Sequence, residues 1–205
     1  MIKLYYSENL NPRVAVAVAR HLKSPLEYVR AAPRDPAHEE AFRPINPNTL
    51  VPVLVEPAQT LWETDAIACR LAQLGNSPFW PMDHRLPQVL MWVSWSTQHF
   101  TLPASSHYFE RIVRPTFSNV PADPQALAKD LATFRKYAAI LDDVLATRQW
   151  LVNGQLSYAD FRTATVLPFA ERSGLPLQEY RNIVRWHARL EQLEAWRDPF
   201  GGLPK

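Results

Sequence analysis

The pattern of the chain changes once, at Gly75-Asn76-Ser77-Pro78-Phe79-Trp80-Pro81, and that change constrains the fold more than any other feature. Before it, short strand-like runs alternate with helical segments. After it, only helical patterns remain, over 86–114, 124–146, 158–173 and 182–193. The expected organisation is a small α/β domain over residues 1–75, a proline-rich linker over 76–82, and an all-helical domain over 83–205.

Within the first part the order reads strand (Ile2 to Tyr6), helix (Arg13 to Lys23), strand (Leu26 to Arg30), short helix (Pro36 to Phe42), strand (Val51 to Val55), strand (Thr60 to Trp62) and helix (Glu63 to Leu74). Two strands joined by a helix are expected to be parallel with a right-handed crossover. In the first helix, valines at 14, 16 and 18 alternate with alanines, a period that also fits a strand. The helical assignment rests on Asn11-Pro12, read as an N-cap followed by proline at the first helical position, and on the helix preference of alanine. In the second part, Ser157-Tyr158-Ala159-Asp160 has the form of a capping box, with Leu156 and Phe161 placed as a hydrophobic staple.

Composition removes several classes of function. Nineteen prolines against five glycines leave no glycine-rich phosphate loop. The 22 basic residues are interspersed with 20 acidic ones and form no basic run, so a nucleic-acid partner is not expected. Apolar runs fall short of the roughly 20 residues of a membrane helix. The first residues read directly as a strand, without a signal-like region. The single cysteine, Cys69, permits neither a disulfide framework nor a CxxC pair, and no metal-ligand spacing is present. The expected location is cytoplasmic.

Three stretches in register resemble the glutathione S-transferase family. Asn46-Pro47-Asn48-Thr49-Leu50-Val51-Pro52-Val53-Leu54 is similar to its Asn-Pro…Val-Pro-x-Leu segment, Glu63-Thr64-Asp65-Ala66-Ile67 to its Glu-Ser-x-Ala-Ile motif, and Leu156 to Phe161 to the capping box of its central helix. The resemblance covers essentially the whole chain. It implies a thioredoxin-like α/β N-terminal domain plus an all-α C-terminal domain. It also implies glutathione as co-substrate, a small hydrophobic electrophile as the second substrate, and a homodimer. The expected activity is addition of the glutathione thiolate to that electrophile. A binding or regulatory protein without transferase activity, and a glutathione-dependent isomerase or dehalogenase, are the alternatives on the same fold.

The resemblance also implies site residues. Pro52 is expected to be cis, turning the backbone edge of Val51 toward the cysteinyl part of the ligand as an added strand would be paired. Glu63 and Thr64, opening a helix, are expected to take the γ-glutamyl carboxylate and ammonium; without the resemblance the same residues read as a helix cap and a dipole complement. Asn11 stands where serine-type members carry their activating hydroxyl; Tyr6 and Ser7 are its rivals, and the sequence leaves the choice open. Leu50 replaces the Lys, Arg or Gln that many members carry before Val-Pro, so Asn48, His38 or Arg34 is expected to substitute near the glycine end. Trp95, His99 and Leu102 are read as one helix face bordering the second-substrate pocket, although aromatic residues in such a helix are more often core.

Overall fold

The helix-bridged strands at the N-terminus are parallel, as a βαβ connection requires. The computed structural model describes residues 1–33 and 35–203, in two units: Met1–Trp80 together with the stretch from Gln192 on, and Pro81–Glu191. In the first unit, β1 (Lys3–Tyr6) leads through α1 (Leu10–His21) to β2 (Glu27–Arg30). Then come α2 (Pro36–Phe42), the hairpin β3 (Val53–Val55) and β4 (Thr60–Trp62), and α3 (Thr64–Leu74). The sheet order is β2-β1-β3-β4, with β1 parallel to β2 and antiparallel to β3, and β3 antiparallel to β4.

Burial explains the ambiguous pattern of α1. Val14 through Ala19 are all fully buried, so this stretch of the helix is enclosed on every side and its apolar residues need not follow a one-faced period. Its start also lies earlier than expected. Asn9, in extended conformation, is the N-cap, and its Oδ1 accepts the Leu10 N–H at 2.8 Å. Asn11 is therefore inside the first turn, where the missing N–H of Pro12 still falls among the amides that lack a helical partner. Asp35 caps α2 in the same way, and Phe42 at its end meets Tyr5 edge-on at 5.7 Å.

The second unit begins with α4 (Leu86–Trp95), which runs through a π-turn (Ser96–Phe100) into α5 (Thr101–Tyr108) and a second π-turn (Phe109–Val113). Pro103 cannot donate to the preceding turn, and the Ser96 and Thr97 hydroxyls both donate to the Val93 carbonyl, two recognised causes of such widening. After α6 (Pro124–Leu145) the pattern expected as one helix over 158–173 is divided. It forms α7 (Tyr158–Thr163), a 3-10 turn around Pro168, and α8 (Ala170–Ser173), because proline breaks the helical hydrogen-bond ladder. Then α9 (Arg181–Leu190) follows. The capping box is formed: Asp160, fully buried, accepts from the Ser157 N–H at 3.0 Å.

The segment after Gln192, read from sequence as the end of the helical domain, packs with the first unit. It holds α10 (Glu194–Arg197), whose Trp196 is fully buried. The buried Arg13 guanidinium donates to the Trp196 carbonyl and lies 4.6 Å over its ring. Arg20 donates to the carbonyls of Pro199 at 3.0 Å and Gly201 at 2.6 Å, and Phe200 stacks on Tyr6 at 5.7 Å. Among the described residues no helix is long and apolar enough to cross a membrane.

Candidate functional site

Strand register brings three distant segments to one end of the sheet. Tyr5 on β1 is opposite Val53 on β3, and Val53 is opposite Trp62 on β4. Because β3 runs against both neighbours, one step beyond this row the chain passes through Tyr6 and Ser7, Pro52 and Val51, and Glu63. The starts of α1 and α3 follow directly from the first and last of these.

The Val51–Pro52 bond is cis, as expected, and Pro52 is buried. Val51 is half-buried, and neither its amide nor its carbonyl hydrogen-bonds to the described residues. The loop entering it is organised by Asn46, only 2% exposed, whose Nδ2 donates to the Leu50 carbonyl at 2.8 Å while its Oδ1 accepts the Asn48 amide at 3.0 Å. The Asn48 side chain also bonds Asn46 Oδ1, at 3.2 Å. Asn48 is thus engaged in its own turn. Asn46 was legible only as part of an Asn-Pro turn; its positioning role depends on a buried amide that spacing does not reveal.

Glu63 opens α3 with φ +77° and ψ 125°, a conformation costly for a residue with a side chain, and it is exposed. Unlike α1 and α2, α3 has no side-chain cap, and an uncapped helix start suits an anion. Thr64 is only 3% exposed, and its hydroxyl donates to the Asn11 carbonyl at 3.3 Å. This bond joins the starts of two helices. The far end of the hairpin is tied to α3 by Glu56, which receives both arms of Arg70 at 2.9 and 3.0 Å; those bonds hold its carboxyl below the ordinary range. This pair lies fourteen residues apart and gave no sequence signal.

Of the three candidates for thiol activation, Tyr6 is fully buried between Phe200, stacked, and Tyr28, edge-on at 6.4 Å. Burial pushes its hydroxyl above the ordinary tyrosine value. Tyr6 is a core residue. Ser7 is half-buried at the turn after β1, its carbonyl accepting the Asn9 amide at 2.9 Å, and Asn11 is exposed in the first turn of α1. Burial pushes the Cys69 thiol up, which disfavours a reactive thiolate.

His38 is exposed on α2, with Nδ1 3.4 Å from the Asp35 carboxylate. Arg34 lies outside the described residues. Leu50 and Trp62, at the same sheet end, are 40% and 42% exposed. In the helical unit, Trp95 and His99 meet at 6.4 Å and both pack on Tyr137, the histidine stacked at 4.9 Å. Leu102 is 59% exposed beyond the π-turn, which shifts the helical phase between it and Trp95. Among the described residues no group of three or more His, Cys, Asp or Glu side chains is placed to hold a metal ion.

A thioredoxin-like sheet with a cis Val-Pro edge, followed by a helical unit with a buried capping box, is the architecture of glutathione transferases. The family profile of the glutathione S-transferase C-terminal domain matches residues 99–194. Mouse glutathione S-transferase theta-1 is 28% identical over 160 residues, 74% of this chain and 65% of that protein. Glutathione S-transferase GstB of Escherichia coli K12 is 26% identical over 204 residues, 96% of each chain. A solved glutathione S-transferase-I bound with lactoylglutathione superposes with a TM-score of 0.85 at 18% identity, covering 97% of both chains. Together these similarities support membership of the glutathione S-transferase family.

Proposed function

We propose that the sheet end formed by Ser7, Val51 and Glu63 is a glutathione site and that the protein is a glutathione transferase for small apolar electrophiles. The observation that carries this reading is the convergence, in one strand register, of an unpaired backbone edge at Val51 with the starts of α1 and α3. The Val51 amide and carbonyl pair with the cysteinyl backbone of the ligand as an added strand. The uncapped start of α3 takes the γ-glutamyl carboxylate, and the exposed Glu63 carboxylate takes the ammonium. Ser7 and Asn11, beside the positive end of α1, donate to the thiolate and favour its ionised form. The thiolate then forms a carbon–sulfur bond with the electrophile, and the leaving group departs with the electron pair.

The active form is a homodimer, the commonest closed assembly, and the single cysteine suits a cytoplasmic protein. Calorimetric titration with glutathione, followed by conjugation of chlorodinitrobenzene, tests the reading. Saturable binding with turnover is the expected result; no binding by the wild type sinks it. Burial of Tyr6 favours a second reading, a binding protein without transferase activity, because one hydroxyl is removed from the site. Binding without turnover selects it.

A further inference from the structure

Three arginines of the helical unit hold their side chains on backbone carbonyls at one place, where α6 ends. Arg185 of α9 donates through Nη2 to the Leu145 carbonyl at 3.0 Å, and Arg189, one turn on, donates through Nη1 to that of Gln149 at 3.3 Å. Arg148 donates through Nη1 to the Leu151 carbonyl at 3.3 Å. Among the described residues none of the three meets a carboxylate, whereas Arg43, Arg70, Arg85, Arg114 and Arg135 each do. Acids beside them are occupied otherwise: Asp142 accepts the Asn182 and Ile183 amides at 2.8 and 2.9 Å, and Glu191 pairs with His187 at 3.1 Å. Capping of a helix end explains one basic side chain at such carbonyls. It leaves unexplained why three guanidinium charges gather there, exposed at 148 and 185 and half-buried at 189, without a counter-charge.

We propose that Arg148, Arg185 and Arg189 form a docking surface for a short acidic segment of a partner protein. A guanidinium has several N–H groups, and each of these uses one on its carbonyl, so others remain to meet carboxylate oxygens in fork geometry. The anchoring carbonyls hold the side chains in place beforehand, which lowers the ordering cost of binding. Arg185 and Arg189 are four residues apart on one helix, roughly 5–6 Å between β-carbons, the spacing that carboxylates four apart on a partner helix also have. Three like charges held side by side repel one another, and an acidic partner relieves that repulsion. Asp142 and Asp143 on α6 and Glu191 at the end of α9 border the row and repel an extended polyanion. A short protein segment therefore fits this surface better than a nucleic acid does. The proposal is independent of the glutathione reading, because none of these residues belongs to that site.

The probe is a fluorescein-labelled, alanine-rich helical peptide with glutamate at every fourth position, and the same peptide with glutamine is the control. Fluorescence anisotropy on the full chain should show the glutamate peptide bound at about 50 mM salt and weakened severalfold at about 200 mM, with the glutamine peptide unbound. Arg185→Gln combined with Arg189→Gln should weaken binding about tenfold or more, and Arg148→Gln about threefold. Arg135→Gln, which removes an exposed arginine already paired with Glu179, should stay within about twofold of wild type. In the wild type, amide shifts in nuclear magnetic resonance on peptide addition should concentrate at residues 145–151 and 185–190, a readout that does not depend on how the variants fold. Equal loss in Arg135→Gln, or shifts spread over other faces, reduces the effect to net charge and overturns the proposal. So does failure of the wild type to prefer the glutamate peptide over the glutamine one. Tighter binding of an oligothymidylate at the same salt assigns the surface to nucleic acid and overturns the protein partner.

Discussion

The carboxylate of Asp160 accepts the indole N–H of Trp186 at 3.0 Å, joining the start of α7 to the middle of α9. It also accepts the Leu151 amide at 3.0 Å and the amide and hydroxyl of Ser157 at 3.0 and 3.3 Å. One buried side chain thus satisfies donors from three parts of the helical unit. Asp160→Ala leaves these donors unpaired away from water and should cost about 3–5 kcal/mol of stability in urea unfolding. Asp160→Asn keeps one acceptor and should cost less. A loss under 1 kcal/mol for the alanine variant refutes this account.

Two buried groups of this unit pull stability in opposite directions with pH. Burial raises the Asp160 carboxyl to about 6, against the hydrogen bonds that lower it. Its folded pKa exceeds its unfolded one, so its contribution is full below the ordinary carboxylate value and is lost as pH rises toward 6. His107, 1% exposed, is held below the ordinary histidine value by burial and by the Arg111 charge, which outweigh a backbone hydrogen bond at Ser173. Its folded form resists protonation, so it costs stability as pH falls below the unfolded value, near 6.5. His107→Leu should flatten the acid side of the melting-temperature profile, and Asp160→Asn should flatten the fall between pH 4 and 6. An unchanged acid limb in His107→Leu counts against this assignment.

Glu63 holds a positive φ of 77° that glycine adopts without penalty. Glu63→Gly should leave stability equal or raise it by up to about 1 kcal/mol, while weakening glutathione binding roughly tenfold through loss of the carboxylate. Unfolding curves and calorimetry on the same preparation separate the two effects. Destabilisation together with unaltered binding would contradict the roles given to this residue.

The strands, the parallel crossover and the capping box were legible in the sequence because each is local: a period of two, a helix between two strands, a Ser and an Asp three apart. The start of α1 was displaced because Asn9 and Asn11 are both good caps, and only the backbone at Asn9 decides between them. The burial of Tyr6 was not legible, because spacing places it near the strand end but does not say which face of β1 it occupies. The π-turn between Trp95 and Leu102 left no periodic signal in the sequence. Glu56–Arg70, Asn46 and the α10 segment are long-range or buried polar arrangements, for which a single sequence offers no periodic signal.

The segment from Gln192 is a layer of the first unit. Trp196 is fully buried there, under the Arg13 guanidinium, and Phe200 covers Tyr6. Trp196→Ala should destabilise the protein by about 3–5 kcal/mol, the range for removing a large buried aromatic. A chain ended at Glu191 should show rapid proteolysis within Met1–Trp80. Wild-type resistance to proteolysis in the shortened chain would show that the layer is dispensable.

In the proposed site Ser7 and Asn11 are the two candidate donors to the sulfur, and their positions predict unequal effects. Ser7 lies on the turn directly after β1, whereas Asn11 sits in the first turn of α1 with its carbonyl engaged by Thr64. A donor to S⁻ is weaker toward S–H, so its loss falls on the ionised state and the transition state rather than on binding. A hydrogen bond to a charged group is worth about 1.5–3 kcal/mol, or roughly ten- to a hundredfold in rate. The variant lacking the true donor should therefore raise the thiol pKa of bound glutathione and lower conjugation by that factor, with affinity within about threefold of wild type. We expect this of Asn11→Ala, whose exposed amide stands beside the positive end of α1, with Ser7→Ala and Tyr6→Phe as controls. Tyr6→Phe should change stability, not thiol ionisation, because the ring is in the core. If Ser7→Ala alone raises the pKa, the donor is the serine; if neither variant does, the helix end rather than a side chain carries the ionisation.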